Sequence, residues 1–113
     1  MTQTESRTVL ITGGATRIGK EIALGLAEDG WNIAIHYNES SSEAEHLTNY
    51  IKKRGVKSIT VQANLAEYGA PEGLIADVGQ KLGNIDALIN NASKFSFDSP
   101  QEFKRLNLED HMA

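Results

Sequence analysis

The sequence predicts an α/β fold, a doubly wound parallel sheet of the Rossmann type, truncated after its fourth strand. Two observations predict it: short apolar runs alternate with stretches of helical periodicity, and glycine or proline separates them. Four strands alternating with three helices require parallel βαβ units with right-handed crossovers. The predicted strands are residues 8–12, 33–37, 58–62 and 85–89.

Thr8 to Thr12 is a continuous apolar run, as expected for a strand buried on both faces. Apolar residues then recur at helical spacing in three stretches between the strands. These stripes are Ile18, Ile22, Ala23, Leu26 and Ala27; Ala44, Leu47, Tyr50 and Ile51; and Leu74, Ile75, Val78 and Leu82.

Residues with known preferences for helix ends support these boundaries. Gly30, Gly55 and Gly83 follow the three stripes, where glycine stops a helix. The segments 40–43 and 42–45 both have the Ser-x-x-Glu form of a capping box. Pro71 suits the first turn of the third helix.

Beyond residue 91 the pattern weakens, although the segment 99–102 and Asn107 each suit a helix start. The last predicted helix has no stop signal before Ala113. We therefore expect the 113 residues to be one domain, or part of one, cut from a longer protein.

Composition excludes several classes of function. A formal net charge of -4 argues against binding to nucleic acid or an anionic membrane. The absence of cysteine excludes disulfides, thiolate metal sites and thiol catalysis, and His36, His46 and His111 lack the spacing of metal ligands. We therefore expect no bound metal. No export leader or membrane-spanning run is visible, so we expect a cytoplasmic location.

The segment Thr12–Glu21, TGGATRIGKE, has two interpretations. It nearly matches the mononucleotide P-loop, but that motif needs Ser or Thr after its lysine to bind Mg²⁺, and Glu21 stands there instead. We expect Lys20 and Glu21 to be exposed positions of an amphipathic helix. The other interpretation is the glycine-rich turn of a dinucleotide-binding βαβ unit, in which the first helix directs its N-terminal amides at a pyrophosphate.

On these residues the chain resembles the short-chain dehydrogenase/reductase family, whose turn reads T-G-x-x-x-G-x-G. Arg17 replaces the middle glycine, and the resulting T-G-x-x-x-R-[IL]-G is similar to the pteridine reductase branch. The resemblance implies that Gly13, Arg17, Ile18 and Gly19 hold the cofactor pyrophosphate. The alternative for Arg17 is a solvated loop arginine.

A second stretch, His36 to Ser40, is similar to the H-Y-x-x-S of the same branch. The resemblance implies that His36, Tyr37, Asn38 and Ser40 meet the adenosine ribose. An acid at position 37 would bind a free 2′-hydroxyl and favour NAD. Tyr37 cannot play that part and, with Arg17 and Ser40, leaves room for a 2′-phosphate, so NADP is favoured without excluding NAD. Glu39 weighs against a 2′-phosphate unless its carboxylate faces water.

Two further segments extend the resemblance. Asn64 and Leu65 stand where the family borders the adenine, although a plain turn residue explains Asn64 almost as well. Asn90 begins the segment Asn-Asn-Ala-Ser, which implies that Asn91, Ala92 and Ser93 lie beside the nicotinamide. Ser93 and Phe95 would contact the substrate, Phe95 by stacking on a flat ring, unless Phe95 only covers the edge of the core.

The catalytic Tyr-x-x-x-Lys of the family is absent, because Tyr50 is followed by Arg54 and neither Tyr37 nor Tyr68 has such a lysine. We therefore expect no catalytic residue in this chain and an unpaired edge at the fourth strand. The predicted function is the N-terminal cofactor-binding part of an NADP-preferring reductase that acts on a small carbonyl or pterin-like substrate as a homo-oligomer. The alternative is a non-catalytic dinucleotide-binding or sensor module.

Overall fold

A computed structural model describes residues 6–91 of the chain. All seven elements predicted for this part of the chain are present in the predicted order, and the helix starts predicted at 99–102 and Asn107 lie outside the described residues. Their bounds are β1 (Thr8–Thr12), α1 (Arg17–Glu28), β2 (Asn32–Tyr37), α2 (Ser41–Lys52), β3 (Ser58–Gln62), α3 (Ala70–Leu82) and β4 (Ala87–Asn90). The largest difference is at β4, which was predicted from Ile85 and begins at Ala87. Ile85 precedes the strand and packs in the core with Leu74 and Val78.

The four strands form one parallel sheet in the order β3-β2-β1-β4. Their carboxyl ends, Thr12, Tyr37, Gln62 and Asn90, therefore meet at one edge of the sheet. The chain reverses its direction of winding between β1 and β4, and ligands of such folds bind at the carboxyl ends beside this switch point. The predicted doubly wound α/β fold is confirmed.

Two apolar clusters cover the two faces of the sheet because side chains alternate along each strand. Val9 and Ile11 pack with the buried residues of α1 and α2 on one face. Leu10 packs with Leu74 and Val78 of α3 on the other face. All five residues of β1 are buried, as its continuous apolar sequence predicts.

The helices differ from the sequence predictions in three places. The Ser40 side chain makes no cap hydrogen bond, so the predicted capping box does not form at the start of α2. Tyr50, predicted on the apolar stripe, is 49% exposed, while Thr48 turns inward and bonds to Ser58 of β3. Ile18, also predicted on a stripe, is 67% exposed beside the glycine turn.

Within residues 6–91, β4 pairs on one side only, with β1, as predicted for the edge of the sheet. In the same part of the chain, none of the helices has the length and apolar character needed to cross a lipid bilayer.

Candidate functional site

The turn between β1 and α1 brings backbone atoms unusually close together. Gly13 adopts a φ of 62°, which L side chains disfavour. A Cβ atom on Gly19 would lie 2.4 Å from the Gly13 carbonyl oxygen and 2.8 Å from the Cα of Gly14. Gly19 therefore allows the first turn of α1 to pack directly against the glycine turn.

Two amides of this turn are already bonded within the protein. The Gly13 N–H donates to Nδ1 of His36 at 2.9 Å, and the Gly14 N–H donates to the His36 carbonyl oxygen at 3.1 Å. Gly13 was predicted to hold a pyrophosphate. Its amide is directed to β2 instead, so Gly13 can serve a ligand only through the close approach of its Cα.

The next amides, at the start of α1, have no acceptor within the helix. The first intrahelical bond runs from the Lys20 N–H to the Thr16 carbonyl oxygen at 3.2 Å. The N–H groups of Arg17, Ile18 and Gly19 precede it and have no intrahelical acceptor. Thr16 occupies the N-cap position but its side chain forms no cap hydrogen bond. The positive end of α1 is thus available to an anion at the carboxyl edge of the sheet.

His36 is buried, with 3% of its surface exposed, and both ring nitrogens are bonded. Because Nδ1 accepts from Gly13, the proton sits on Nε2, which donates to the Ala63 carbonyl oxygen at 2.9 Å. Burial lowers the pKa of His36 from its usual 6.5, and the hydrogen bond to Ala63 raises it to a smaller extent. The imidazole is therefore neutral at pH 7.

A cavity of about 280 Å³ lies where β1 and β2 end. The glycine turn forms one wall, and the residues that follow β2, including Tyr37, Glu39 and Ser40, form the other. Gln62 of β3 donates to both the backbone and side-chain oxygens of Asn38 and so holds this second wall. The structure brings the predicted ribose-binding residues together at one cavity, with the exposed Glu39 among them.

Arg17 has a φ of 54°, in a region that costs an L residue about 1–2 kcal/mol. Its side chain lines a second, larger cavity of about 510 Å³ between α1 and α2, together with Lys20, Glu43 and His46. The two cavities share Ala15 and Thr16. Arg17 therefore lies beside the 280 Å³ cavity and not within its wall.

The P-loop interpretation is not supported by α1, where Lys20 and Glu21 are both exposed, as predicted. Tyr50 also lines the larger cavity, together with Thr16 and Arg17 of the glycine turn and α1. Its ring stacks with the Arg54 guanidinium, 5.1 Å from the ring centroid.

Asn64 and Leu65, which were predicted to border the adenine, make contacts within the protein. The Asn64 side-chain oxygen accepts from the Ala66 N–H at 3.1 Å, which is the local turn that the alternative interpretation describes. Leu65 is 6% exposed and packs in the core with Val61 and Leu74. A contact of either residue with adenine stays a prediction.

The end of β4 is bonded to the glycine turn through Thr12 and Asn91. The Thr12 hydroxyl accepts from the Asn91 N–H at 2.9 Å and lies 3.2 Å from Oδ1 of Asn90. The Asn91 side-chain amide donates to the Gly13 carbonyl oxygen at 3.1 Å. Asn91 thus positions the turn, and its predicted contact with the nicotinamide is untested. Ala92, Ser93 and Phe95 lie outside the described residues.

Sequence reasoning missed Thr12 and Gln62 as parts of this site. Gln62 stands opposite Tyr37 in the register of β2 and β3, so the strand alignment was the signal that could have found it. Thr12 begins the glycine-turn motif, but nothing local indicated its bonds to the end of β4, because those partners are 77–79 residues away in sequence. Within residues 6–91, no group of three His, Asp or Glu side chains is arranged to hold a metal ion.

The family model for short chain dehydrogenases matches residues 7–113. The 3-oxoacyl-(acyl-carrier-protein) reductase of Staphylococcus aureus is 40% identical over 87 residues, which are 77% of this chain and 35% of that protein. A short-chain dehydrogenase/reductase homolog of Bacillus subtilis is 35% identical over 88 residues, 78% of this chain and 81% of that protein.

Solved structures give the same picture. The alternative dihydrofolate reductase 1 of Brucella canis, complexed with NADP, is 41% identical with a TM-score of 0.73, over 84% of this chain and 38% of that one. A putative dehydrogenase of Burkholderia cenocepacia with bound NADP is 39% identical with a TM-score of 0.72, over 75% of this chain and 33% of that one. The chain spans about a third of the length of the S. aureus reductase, the B. canis reductase and the B. cenocepacia dehydrogenase.

Proposed function

The chain belongs to the short-chain dehydrogenase family, and we propose that it is the cofactor-binding part of an NADP-preferring oxidoreductase of that family. The observation that carries this proposal is the open first turn of α1. Gly19 packs the helix against the glycine turn, and the Arg17, Ile18 and Gly19 amides stay without an intrahelical acceptor at the sheet edge where such folds bind ligands.

The residues present fit a dinucleotide. The first-turn amides of α1 would hold the pyrophosphate, and Tyr37, Asn38 and Ser40 would surround the adenosine ribose in the 280 Å³ cavity. Asn91, whose side chain fixes the Gly13 carbonyl, would keep the turn in place beneath them. When bound, the nicotinamide would supply a hydride, whose acceptor the segment with Ser93 and Phe95 would help to position.

The preference for NADP rests on Arg17 and Tyr37. Arg17 is kept in a disfavoured backbone conformation where glycine would cost nothing, which points to a role for its side chain. We propose that it extends over the wall shared by the two cavities to the 2′-phosphate. Glu39 opposes that phosphate, but it is exposed, so water weakens its repulsion. One similar reductase and one similar putative dehydrogenase of known structure contain NADP.

For the intact enzyme we propose a small carbonyl or pterin-like substrate, a homo-oligomeric state and a cytoplasmic location. The similarity to the alternative dihydrofolate reductase of B. canis favours a flat heteroaromatic substrate. Such a ring would stack on Phe95 in the way that aromatic pairs prefer.

A non-catalytic cofactor sensor is the second candidate, and one observation favours it. The B. subtilis homolog matches this chain over 81% of its own length, so that relative consists mostly of the part that this chain also has. The coding sequence after residue 113 separates the two, since a downstream Tyr-x-x-x-Lys indicates the enzyme and a stop codon indicates the sensor.

The cofactor proposal is tested by fluorescence titration of the purified chain with NADPH and NADH. We expect tighter binding of NADPH, and we expect Arg17→Ala to weaken NADPH by about tenfold while changing NADH by less than about twofold, because a charged hydrogen bond contributes about 1.5–3 kcal/mol. Lys52→Ala, on an exposed turn of α2, is the matched loss of a cation. Equal loss of both cofactors in Arg17→Ala would contradict the assigned role of Arg17.

A further inference from the structure

We propose that His36 is a positioning residue for cofactor binding: its neutral imidazole accepts the Gly13 amide hydrogen at Nδ1 and so holds the glycine turn that presents α1 to the phosphates. This inference rests on the proposed cofactor site. The predicted contact of His36 with the adenosine ribose stays a prediction beside it.

The geometry carries the inference, because one residue binds two consecutive amides of the turn. The His36 ring accepts from Gly13 at 2.9 Å, and the His36 backbone carbonyl accepts from Gly14 at 3.1 Å. The second ring nitrogen donates to Ala63 at the end of β3. The imidazole of His36, a residue of β2, thus links the Gly13 N–H after β1 to the Ala63 carbonyl oxygen after β3.

Gly13 is bonded to residues in or directly after the two strands that flank β1. Its amide is bonded to His36 of β2, and its carbonyl oxygen accepts from Asn91 after β4. Glycine has more backbone freedom than any other residue, so each bond restricts a peptide group that would otherwise rotate. Loss of the bond to His36 would free the Gly13 N–H and leave the turn held only through the Gly14 N–H and the Gly13 carbonyl oxygen.

Protonation of His36 would abolish the hydrogen bond from the Gly13 N–H to Nδ1. A charged imidazole carries hydrogen on both nitrogens, so Nδ1 would face the Gly13 amide with donor against donor. The ionisable side chains in the cavity beside the ring are Tyr37 and Glu39, from the end of β2 and the loop after it. The turn after β1 and the end of β3 contact the ring through the uncharged Gly13 amide and Ala63 carbonyl.

Two substitutions separate the two ring nitrogens. His36→Asn places an amide oxygen near the position of Nδ1 and keeps an acceptor for Gly13, whereas His36→Gln places an amide nitrogen near Nε2 and keeps the donor to Ala63. Each variant loses one buried hydrogen bond, so we expect similar urea midpoints. We expect NADPH affinity within about threefold of wild type for Asn, and a loss of about tenfold or more for Gln, because only Gln leaves the Gly13 N–H without its acceptor.

The pH dependence is the second readout. We expect wild-type affinity for NADPH to fall relative to that of His36→Asn as the pH is lowered through the pKa of His36, which burial places below 6.5, since Asn does not titrate. Equal NADPH affinities of the His36→Asn and His36→Gln variants, with wild type still binding NADPH, would overturn the role of His36 without refuting the cofactor site. Failure of wild type to bind NADPH would refute the cofactor site itself.

A measurement on the wild-type chain does not depend on the folding of either variant. Nitrogen NMR of the buried imidazole reports which ring nitrogen carries the proton. We expect the proton on Nε2 at pH 7.5. A proton on Nδ1 would overturn the proposal, because Nδ1 could not then accept from Gly13.

Discussion

Gly19→Ala places a methyl group where α1 meets the glycine turn. Its Cβ would lie 2.4 Å from the Gly13 carbonyl oxygen and 2.8 Å from Nδ2 of Asn91, whereas real Cβ atoms essentially never approach closer than 3.0 Å. Because one of these neighbours is backbone, α1 or the turn must move by about 0.6 Å, the difference between 2.4 and 3.0 Å. We expect the free energy of unfolding to fall by about 1–3 kcal/mol.

The same displacement moves the first-turn amides away from the ligand. Weakening one hydrogen bond to a phosphate costs about 1.5–3 kcal/mol, which corresponds to a loss of about tenfold to a hundredfold in NADPH affinity. Urea unfolding and NADPH fluorescence titration measure the two effects separately.

Gly25→Ala is the matched control, because it makes the same change in the same helix. Gly25 is exposed, and a Cβ there meets nothing within 4 Å. We expect this variant to be more stable by about 0.5–1 kcal/mol, from the higher helix propensity of alanine, and to bind NADPH as wild type does. Equal affinity of the two alanine variants would refute the packing role of Gly19.

Thr12→Val removes the hydroxyl that accepts from the Asn91 N–H and should lower the free energy of unfolding by about 1–3 kcal/mol in urea, against a smaller loss for Thr12→Ser, which keeps the hydroxyl. A valine variant as stable as the serine variant would contradict this. Arg17→Gly should be more stable than Arg17→Ala by about 1 kcal/mol in the same assay, because only glycine relieves the positive φ; the reverse order would show that the backbone there is not strained. The pKa of His36 is lowered on folding, so the unfolded chain binds a proton more readily than the folded one as the pH falls below 6.5. The free energy of unfolding of wild type should therefore decrease relative to that of His36→Asn in this range. A difference in unfolding free energy that does not change with pH would count against a neutral buried His36.

The sheet was predictable because its signals are local. The apolar run of β1 has no polar face, and such a strand must be buried on both sides, as it is. The glycine turn was equally readable, since Gly13 and Gly19 stand where the chain must turn tightly and pack closely. The helix stripe of α2 was misassigned at Tyr50 because Thr48, whose hydroxyl finds a partner in Ser58, fits the inward side better.

The internal wiring of the site could not be predicted, because it depends on contacts between distant segments. His36 reads as the polar end of a strand, and its burial is explained only when Gly13 and Ala63, 23 and 27 residues away, supply its partners. The motif likewise predicted a phosphate contact for Gly13 but not that His36 already binds its amide. The resemblance identified which residues gather at the sheet edge, whereas the structure shows which of them are already bonded to each other.

The most direct test of the central claim is an amide NMR titration of the ¹⁵N-labelled chain with NADPH. Binding of a pyrophosphate at the head of α1 predicts the largest shifts for the Arg17, Ile18 and Gly19 amides, which have no intrahelical acceptor, and smaller ones for Gly13 and Gly14, which are already bonded to His36. Saturation by NADPH without shifts in the first turn of α1 would contradict the account, as would equal shifts produced by ATP with Mg²⁺.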